Sequence, residues 1–133
     1  MTKINSFSKN EHLCGEKKIA ALYADGEAFI AYPFRVVFLI MPKTEDENVK
    51  ILVSVPKKRF KKAVDRNRLK RLMRESYRLN KQLLKDEVDK SNSQIQIAFN
   101  YVSNDELEFV DIERKMKKTL QKIAEKFQQT ITQ

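Results

Sequence analysis

The sequence predicts a small single-domain α+β protein, a two-layer sandwich with the element order helix–strand–strand–helix–strand–helix. Three observations lead there. The 133 residues suit one domain with one core and are too few for two. Three apolar runs, around residues 34–41, 49–55 and 95–101, have the length and β-branched or aromatic content of strands. Three other stretches repeat their apolar residues at helical spacing, one before these runs, one between them and one after. Helices in those places cover a sheet with one layer of helix and share its core.

Taken in order, residues 1–8 are polar and read as a loose tail, which leaves 9–133 as the single domain. Ser8-Lys9-Asn10-Glu11 reads as a capping box, with Ser8 at the N-cap and Glu11 at N3, opening a helical turn that carries His12 and Cys14. Gly15 interrupts, and Glu16 to Ala24 resumes as helix with Ile19, Leu22 and Tyr23 on one face and Gly26 as the stop. Phe34 to Met41 is short, apolar and bounded by Pro33 and Pro42, so a central strand is favoured over a helix. An acidic link, Lys43 to Asn48, leads to a second strand. There Val49, Ile51, Val53 and Val55 share one face, and Lys50, Leu52 and Ser54 the other. The two strands are expected to pair as an antiparallel hairpin.

Pro56 ends the second strand, and one long helix is expected from about Ala63 to Lys85. At ~100° per residue, Leu69, Leu72, Met73, Ser76, Asn80 and Leu83 form its packing stripe. Asn67, Lys70, Arg71, Arg74, Arg78 and Lys81 fall on the opposite arc. Asp86 to Ser93 reads as a polar loop. In the third strand Ile95, Ile97, Phe99 and Tyr101 alternate with Gln96, Ala98 and Asn100. Ser103-Asn104-Asp105-Glu106 offers a second capping box. Behind it Phe109, Ile112, Met116, Leu120, Ile123 and Phe127 mark a C-terminal amphipathic helix. The second strand, the basic helix and the third strand form a βαβ crossover if those strands run parallel.

Charge sorts the functions. The chain carries 27 Lys+Arg against 18 Asp+Glu, a net +9. Residues 57–85 hold thirteen of the basic residues and only Asp65 and Glu75 in opposition, a net +11, so the remainder is −2. A field this concentrated suits a polyanion, because each phosphate neutralised releases condensed counterions. A face kept for solubility would mix signs. One cysteine gives no disulfide framework or Cys-rich zinc site, and makes a reducing cytoplasm the expected compartment. No apolar run is long enough for a membrane span and the N-terminus lacks a signal-peptide core. A single histidine, His12, expected on an exposed helix, leaves triad chemistry without parts. Glu45-Asp46-Glu47 reads as a solvated turn rather than a metal site, since consecutive loop carboxylates rarely converge on one ion.

The basic element has an internal pattern. Ser54-Val55-Pro56-Lys57-Lys58 leads in, Ala63-Val64-Asp65-Arg66-Asn67-Arg68 follows, and Lys70-Arg71-Leu72-Met73-Arg74-Glu75 completes it. A lysine-rich turn at a helix N-terminus places N–H groups and ammonium charges together. Arginine forks then pair bidentately with phosphate oxygens or base edges, and Asn67 supplies both a donor and an acceptor. This run closely resembles the signature of the protein subunit of bacterial ribonuclease P, and the order of elements agrees from Ser8 to about Phe127.

The resemblance implies a fold like the second domain of ribosomal protein S5, with a left-handed βαβ crossover where the right hand is the rule. It also implies two partners, the catalytic RNA of ribonuclease P and precursor tRNA, with no membrane and no obligate protein partner. In that family the RNA hydrolyses the phosphodiester with divalent ions such as Mg²⁺. The protein itself holds no metal or other cofactor and no catalytic residue. By position, Arg66, Asn67, Arg68, Lys70, Arg71 and Arg74 should face the catalytic RNA, with Lys57, Lys58, Lys61 and Lys62 near the RNA and its ions. The family binds the 5′ leader of precursor tRNA in an aromatic-lined cleft between the first helix and the sheet. Candidates here are Tyr23, Ile19, Phe34, Phe38 and Phe99, with Phe38 preferred over Phe34 for the stacking ring; strands this apolar also need buried rings, so for the aromatic residues a place in the core stands as the alternative, and Phe99 leans to it. Where the family often has Arg or Lys after the third strand's apolar run, this chain has Phe99-Asn100, so stacking is expected to outweigh charge. The alternative is a structural RNA-binding protein of ribosomal or assembly type, using the same ridge as a clamp with no part in cleavage.

Overall fold

The computed structural model describes residues 11–44 and 47–132. Its elements are α1 (Glu16–Asp25), β1 (Glu27–Ala31), β2 (Phe34–Pro42), β3 (Val49–Ser54), α2 (Ala63–Asn80), α3 (Gln82–Asp89), β4 (Ser93–Tyr101) and α4 (Phe109–Ile131). The four strands form one sheet in the order β1-β2-β4-β3. β4 pairs antiparallel with β2 and parallel with β3, so β3–α2–α3–β4 is the expected βαβ crossover.

The hairpin expected between the strands at 34–41 and 49–55 does not form, because β4 lies between them. Both faces of β4 are covered: seven of its nine residues are buried, Gln94 and Gln96 among them. A strand like that belongs in the middle of a sheet. The actual hairpin is β1–β2, closed by Tyr32-Pro33, whose peptide bond is cis. β1 was not foreseen as a strand. It is an edge strand that turns only Phe29 toward the main core, so its alternation is faint.

Alternation in β2, β3 and β4 divides the sheet into two unequal faces. Phe34, Val36 and Phe38, with Val49, Ile51, Val53, Ile95, Ile97, Phe99 and Tyr101, meet the helices of the main core. Leu69, Met73 and Tyr77 of α2, Leu84 and Val88 of α3, and Ile112, Met116, Leu120, Ile123 and Phe127 of α4 supply the other side. The opposite face holds a smaller cluster, Leu13, Leu22, Val37 and Ala98, covered by α1.

Several local expectations need correction. Glu11 ends a 3-10 turn, and His12 to Gly15 are not helical: His12 bridges Ile51 in parallel and the Leu13 N–H donates to the Ile51 carbonyl at 2.8 Å. Ser8 lies outside the described residues, while Glu11 accepts a hydrogen bond from the Lys81 Nζ at 2.6 Å. The helix foreseen over Ala63–Lys85 ends at Asn80. There the Asn80 amide donates to the Ser76 carbonyl and to Glu113, competing with the backbone ladder. α3 then continues to Asp89, so residues 86–89 are helix rather than loop, because Leu84 and Val88 pack into the core. Tyr77 belongs to the buried stripe, while Leu83 is 40% exposed. Ser103 does not cap α4, which starts at Phe109 behind Glu108. Its hydroxyl instead accepts from the Asp105 N–H and the Tyr32 hydroxyl, tying the last turn to the β1–β2 hairpin.

Gly26 ends α1 without left-handed backbone, at φ −75°. Its need is space: a Cβ would come 2.5 Å from the Leu22 carbonyl oxygen and 2.8 Å from that of Phe38. Among the described residues no helix is long and apolar enough to cross a membrane.

Candidate nucleic-acid interface

Pro56 releases the chain from β3 into a turn whose Arg59 and Phe60 N–H groups donate to the Pro56 carbonyl. Phe60 anchors the turn, buried against the Tyr101 ring at 5.8 Å between centroids. With Phe60 inside, Lys57, Lys58, Lys61 and Lys62 are left outside and exposed. Lys62 stands at the N-cap of α2 and no side chain caps this end, so the first-turn N–H groups point to solvent among four ammonium groups. Arg66 reinforces the turn, its Nη1 donating to the Phe60 and Lys61 carbonyls at 2.9 Å each.

The cations of residues 57–85 fall into two sets. Among the described residues, no carboxylate comes within 4.0 Å of Lys57, Lys58, Lys61, Lys62, Lys70, Arg71 or Arg74. Arg68 is loosely engaged, 3.8 Å from Glu106, and Asn67 is exposed beside it. Arg78, Lys81 and Lys85 are committed within the protein. Arg78 pairs with Glu75 one turn back, and its hydrogen bond holds the Glu75 carboxyl below its usual range. Lys81 and Glu11 form a buried pair, each side chain 4% exposed. Burial pulls the Lys85 ammonium down, but the hydrogen bond and charge of Glu47, helped by Asp89, raise it overall. Arg78 and Lys81, placed on the outer arc by periodicity, therefore do not belong to the free ridge.

The second candidate region is the face under α1. Tyr23 is 41% exposed, and its hydroxyl donates to Asn100 Oδ1 at 2.6 Å. Asn100 Nδ2 in turn donates to the Arg35 carbonyl at 3.0 Å, so helix, β4 and β2 hold the ring in place. Partial burial raises the Tyr23 phenol above its usual range, which keeps it a neutral donor. Ile19 is half-buried beside it against Leu22 and Val37. Phe34, Phe38 and Phe99 do not join this cleft. All three point to the opposite face and are at most 4% exposed, Phe34 edge-on to Phe99 and Phe38 edge-on to Phe29. The even-numbered residues of β2 and odd-numbered residues of β4 share the face that the large helices need to bury.

A depression of about 110 Å³ is lined by His12, Cys14, Leu52 and, from the ridge, Arg74. Burial and the Arg74 charge lower the His12 imidazole from its usual range, outweighing Glu11, so at neutral pH the ring is uncharged.

The ribonuclease P family model matches residues 7–124. The ribonuclease P protein component of Porphyromonas gingivalis is 44% identical over 117 residues, covering 88% of this chain and 85% of that protein. The chain belongs to the ribonuclease P protein family. A second relative in the family, from Chlorobium phaeobacteroides, is 37% identical over 107 residues, 74% of this chain and 73% of that protein. The fold agrees with solved ribonuclease P proteins. That of Thermotoga maritima has a TM-score of 0.66 at 20% identity, over 84% of this chain and 96% of that one. That of Staphylococcus aureus has a TM-score of 0.63 at 20% identity, over 86% and 94%.

Membership of this tRNA-processing family gives the ridge and cleft a common setting. Sequence reading missed two participants. Asn100 was noted only as a departure from a basic residue, yet it is the acceptor that fixes Tyr23. Arg35 was overlooked inside an apolar run. Its alternation with Phe34 and Val36 already put it on the α1 face, where it is exposed.

Proposed function

We propose that the chain docks on the catalytic RNA of ribonuclease P through its lysine turn and the outer face of α2, and holds the 5′ leader of precursor tRNA under α1. The observation that carries this reading is the set of nine cations from Lys57 to Arg74 that, among the described residues, have no carboxylate within 4.0 Å, surrounding an uncapped helix N-terminus. Arg66 builds the turn, and Asn67, Arg68, Lys70, Arg71 and Arg74 present donors along one edge. Tyr23 offers a fixed ring for base stacking, a contact that tolerates any leader sequence. In this reading the RNA performs the hydrolysis with Mg²⁺ or a similar ion, and the protein supplies affinity and position in the cytoplasm.

The test is reconstitution. Full-length protein added to the catalytic RNA should lower the Mg²⁺ needed to process precursor tRNA, and the gain should be larger for substrate with a leader than without. Binding of the RNA without any such gain would sink the reading in favour of a structural clamp.

A further inference from the structure

A second cationic surface stands at the other edge of the sheet. Residues Phe109–Ile131 of α4 carry six basic residues against three acidic ones. Lys115, Lys118 and Lys122 line a depression of about 230 Å³ together with Ile30, Tyr32 and Thr119. Their spacing of three and four residues puts them on one stripe, ~10 Å from first to last along the axis. Among the described residues no carboxylate lies within 4.0 Å of these three ammonium groups. Facing them are two exposed apolar side chains, Ile30 at 60% and Tyr32 at 53%. The Tyr32 hydroxyl donates to Ser103, which fixes the ring. Lys122 and Lys126 lie over the Phe29 ring at 4.6 and 5.6 Å from its centroid, holding the lysine row against β1.

We propose that this β1–α4 edge binds a second segment of RNA, separate from the one docked on α2. Lysines alone would suit the blunting of an edge strand against aggregation. That role gives no reason for a fixed, half-exposed tyrosine and an exposed isoleucine among them. Unpaired cations with an aromatic platform match a nucleic-acid strand, backbone against ammonium and base against ring. β1 and β3 are opposite edges of the sheet, and α2 contributes Arg74 to a depression on the β3 side. The ridge and this edge are thus two surfaces of one domain, and the protein would hold the RNA at both.

The proposal rests on the ribonuclease P role argued above. The experiment measures affinity of the full chain for ribonuclease P RNA across a salt series. Lys115→Ala/Lys118→Ala/Lys122→Ala should reduce the salt slope by roughly two to three, at ~0.7–0.9 per phosphate contact, with the thermal midpoint lowered only by loss of the Lys122–Phe29 contact. The triple Arg variant should keep the slope. An unchanged slope in the Ala variant overturns the second site while leaving the ridge intact. Failure of the unaltered protein to bind overturns both readings. Hydroxyl-radical cleavage then separates the surfaces: in a Cys14→Ser background, a reagent on Lys118→Cys should cut different nucleotides from one on Asn67→Cys. Coincident cuts, or none from position 118, would also overturn the proposal.

Discussion

Residues 57–74 and 78–85 look alike as sequence, since both are rich in Lys and Arg, yet they have opposite fates. In the first stretch nine of the ten cations have no carboxylate within 4.0 Å among the described residues. In the second Arg78, Lys81 and Lys85 each pair with an acid of the protein itself. Charge counted along a chain is therefore not charge available to a partner. What separates the two is distance from acidic neighbours brought in by the fold: Glu11 from the N-terminal segment and Glu47 from the β2–β3 link. The same division runs through the aromatic residues, with Phe99 sealed in the core and Tyr23 half in solvent.

The inward members should control stability. Lys81→Ala leaves the Glu11 carboxylate buried without its ammonium, and a loss of about 3–5 kcal/mol is expected by denaturant unfolding. Pairing Lys81→Met with Glu11→Leu should restore most of it, because the unpaired charge is gone. An unaltered midpoint for Lys81→Ala would erase the distinction between the halves. Phe99→Ala should cost a similar ~3–5 kcal/mol by emptying the centre of the main core.

The outward members should control RNA. Tyr23→Ala should weaken leader-bearing precursor tRNA by roughly 1–3 kcal/mol relative to leaderless substrate, the usual range for one stacked base. Equal losses for both substrates would remove the ring from the leader path. Lys70→Ala and Arg71→Ala should each leave stability within about 0.5 kcal/mol and flatten the salt dependence of RNA affinity by roughly 0.7–0.9.

The smallest expected effect concerns Glu75, whose carboxyl the Arg78 hydrogen bond lowers. A depressed carboxylate pKa contributes stability above the ordinary glutamate range and loses it as pH falls through the lowered value. The stability gap between the protein and Glu75→Gln should thus be present at neutral pH and close in acid. Glu75 is 44% exposed, so the gap should also shrink with salt. A gap that persists in acid would mean that the pair is not its source.

Much of this was legible beforehand, for identifiable reasons. β3 and β4 show in their period-two pattern, and α4 in Ile112, Met116, Leu120, Ile123 and Phe127, because each buries one face strongly. The motif from Ser54 to Glu75 is local, so its position needs no folding to be read. β1 escaped notice because an edge strand has little to bury. The break at Asn80 escaped because it depends on Glu113, 33 residues away. Phe34, Phe38 and Phe99 stood open between core and cleft because alternation groups residues by face without saying which face takes the large helices.

By itself, then, the sequence determined the α+β class, the strands with strong alternation, the basic motif and the family it belongs to. These depend on spacing and composition within a few turns of chain. Only the tertiary structure decided that β4 sits between β2 and β3, which aromatic residues remain accessible and which cations remain free. Those are matters of what meets what across the fold, and a lysine carries the same charge in sequence whether its ammonium faces water or a buried glutamate.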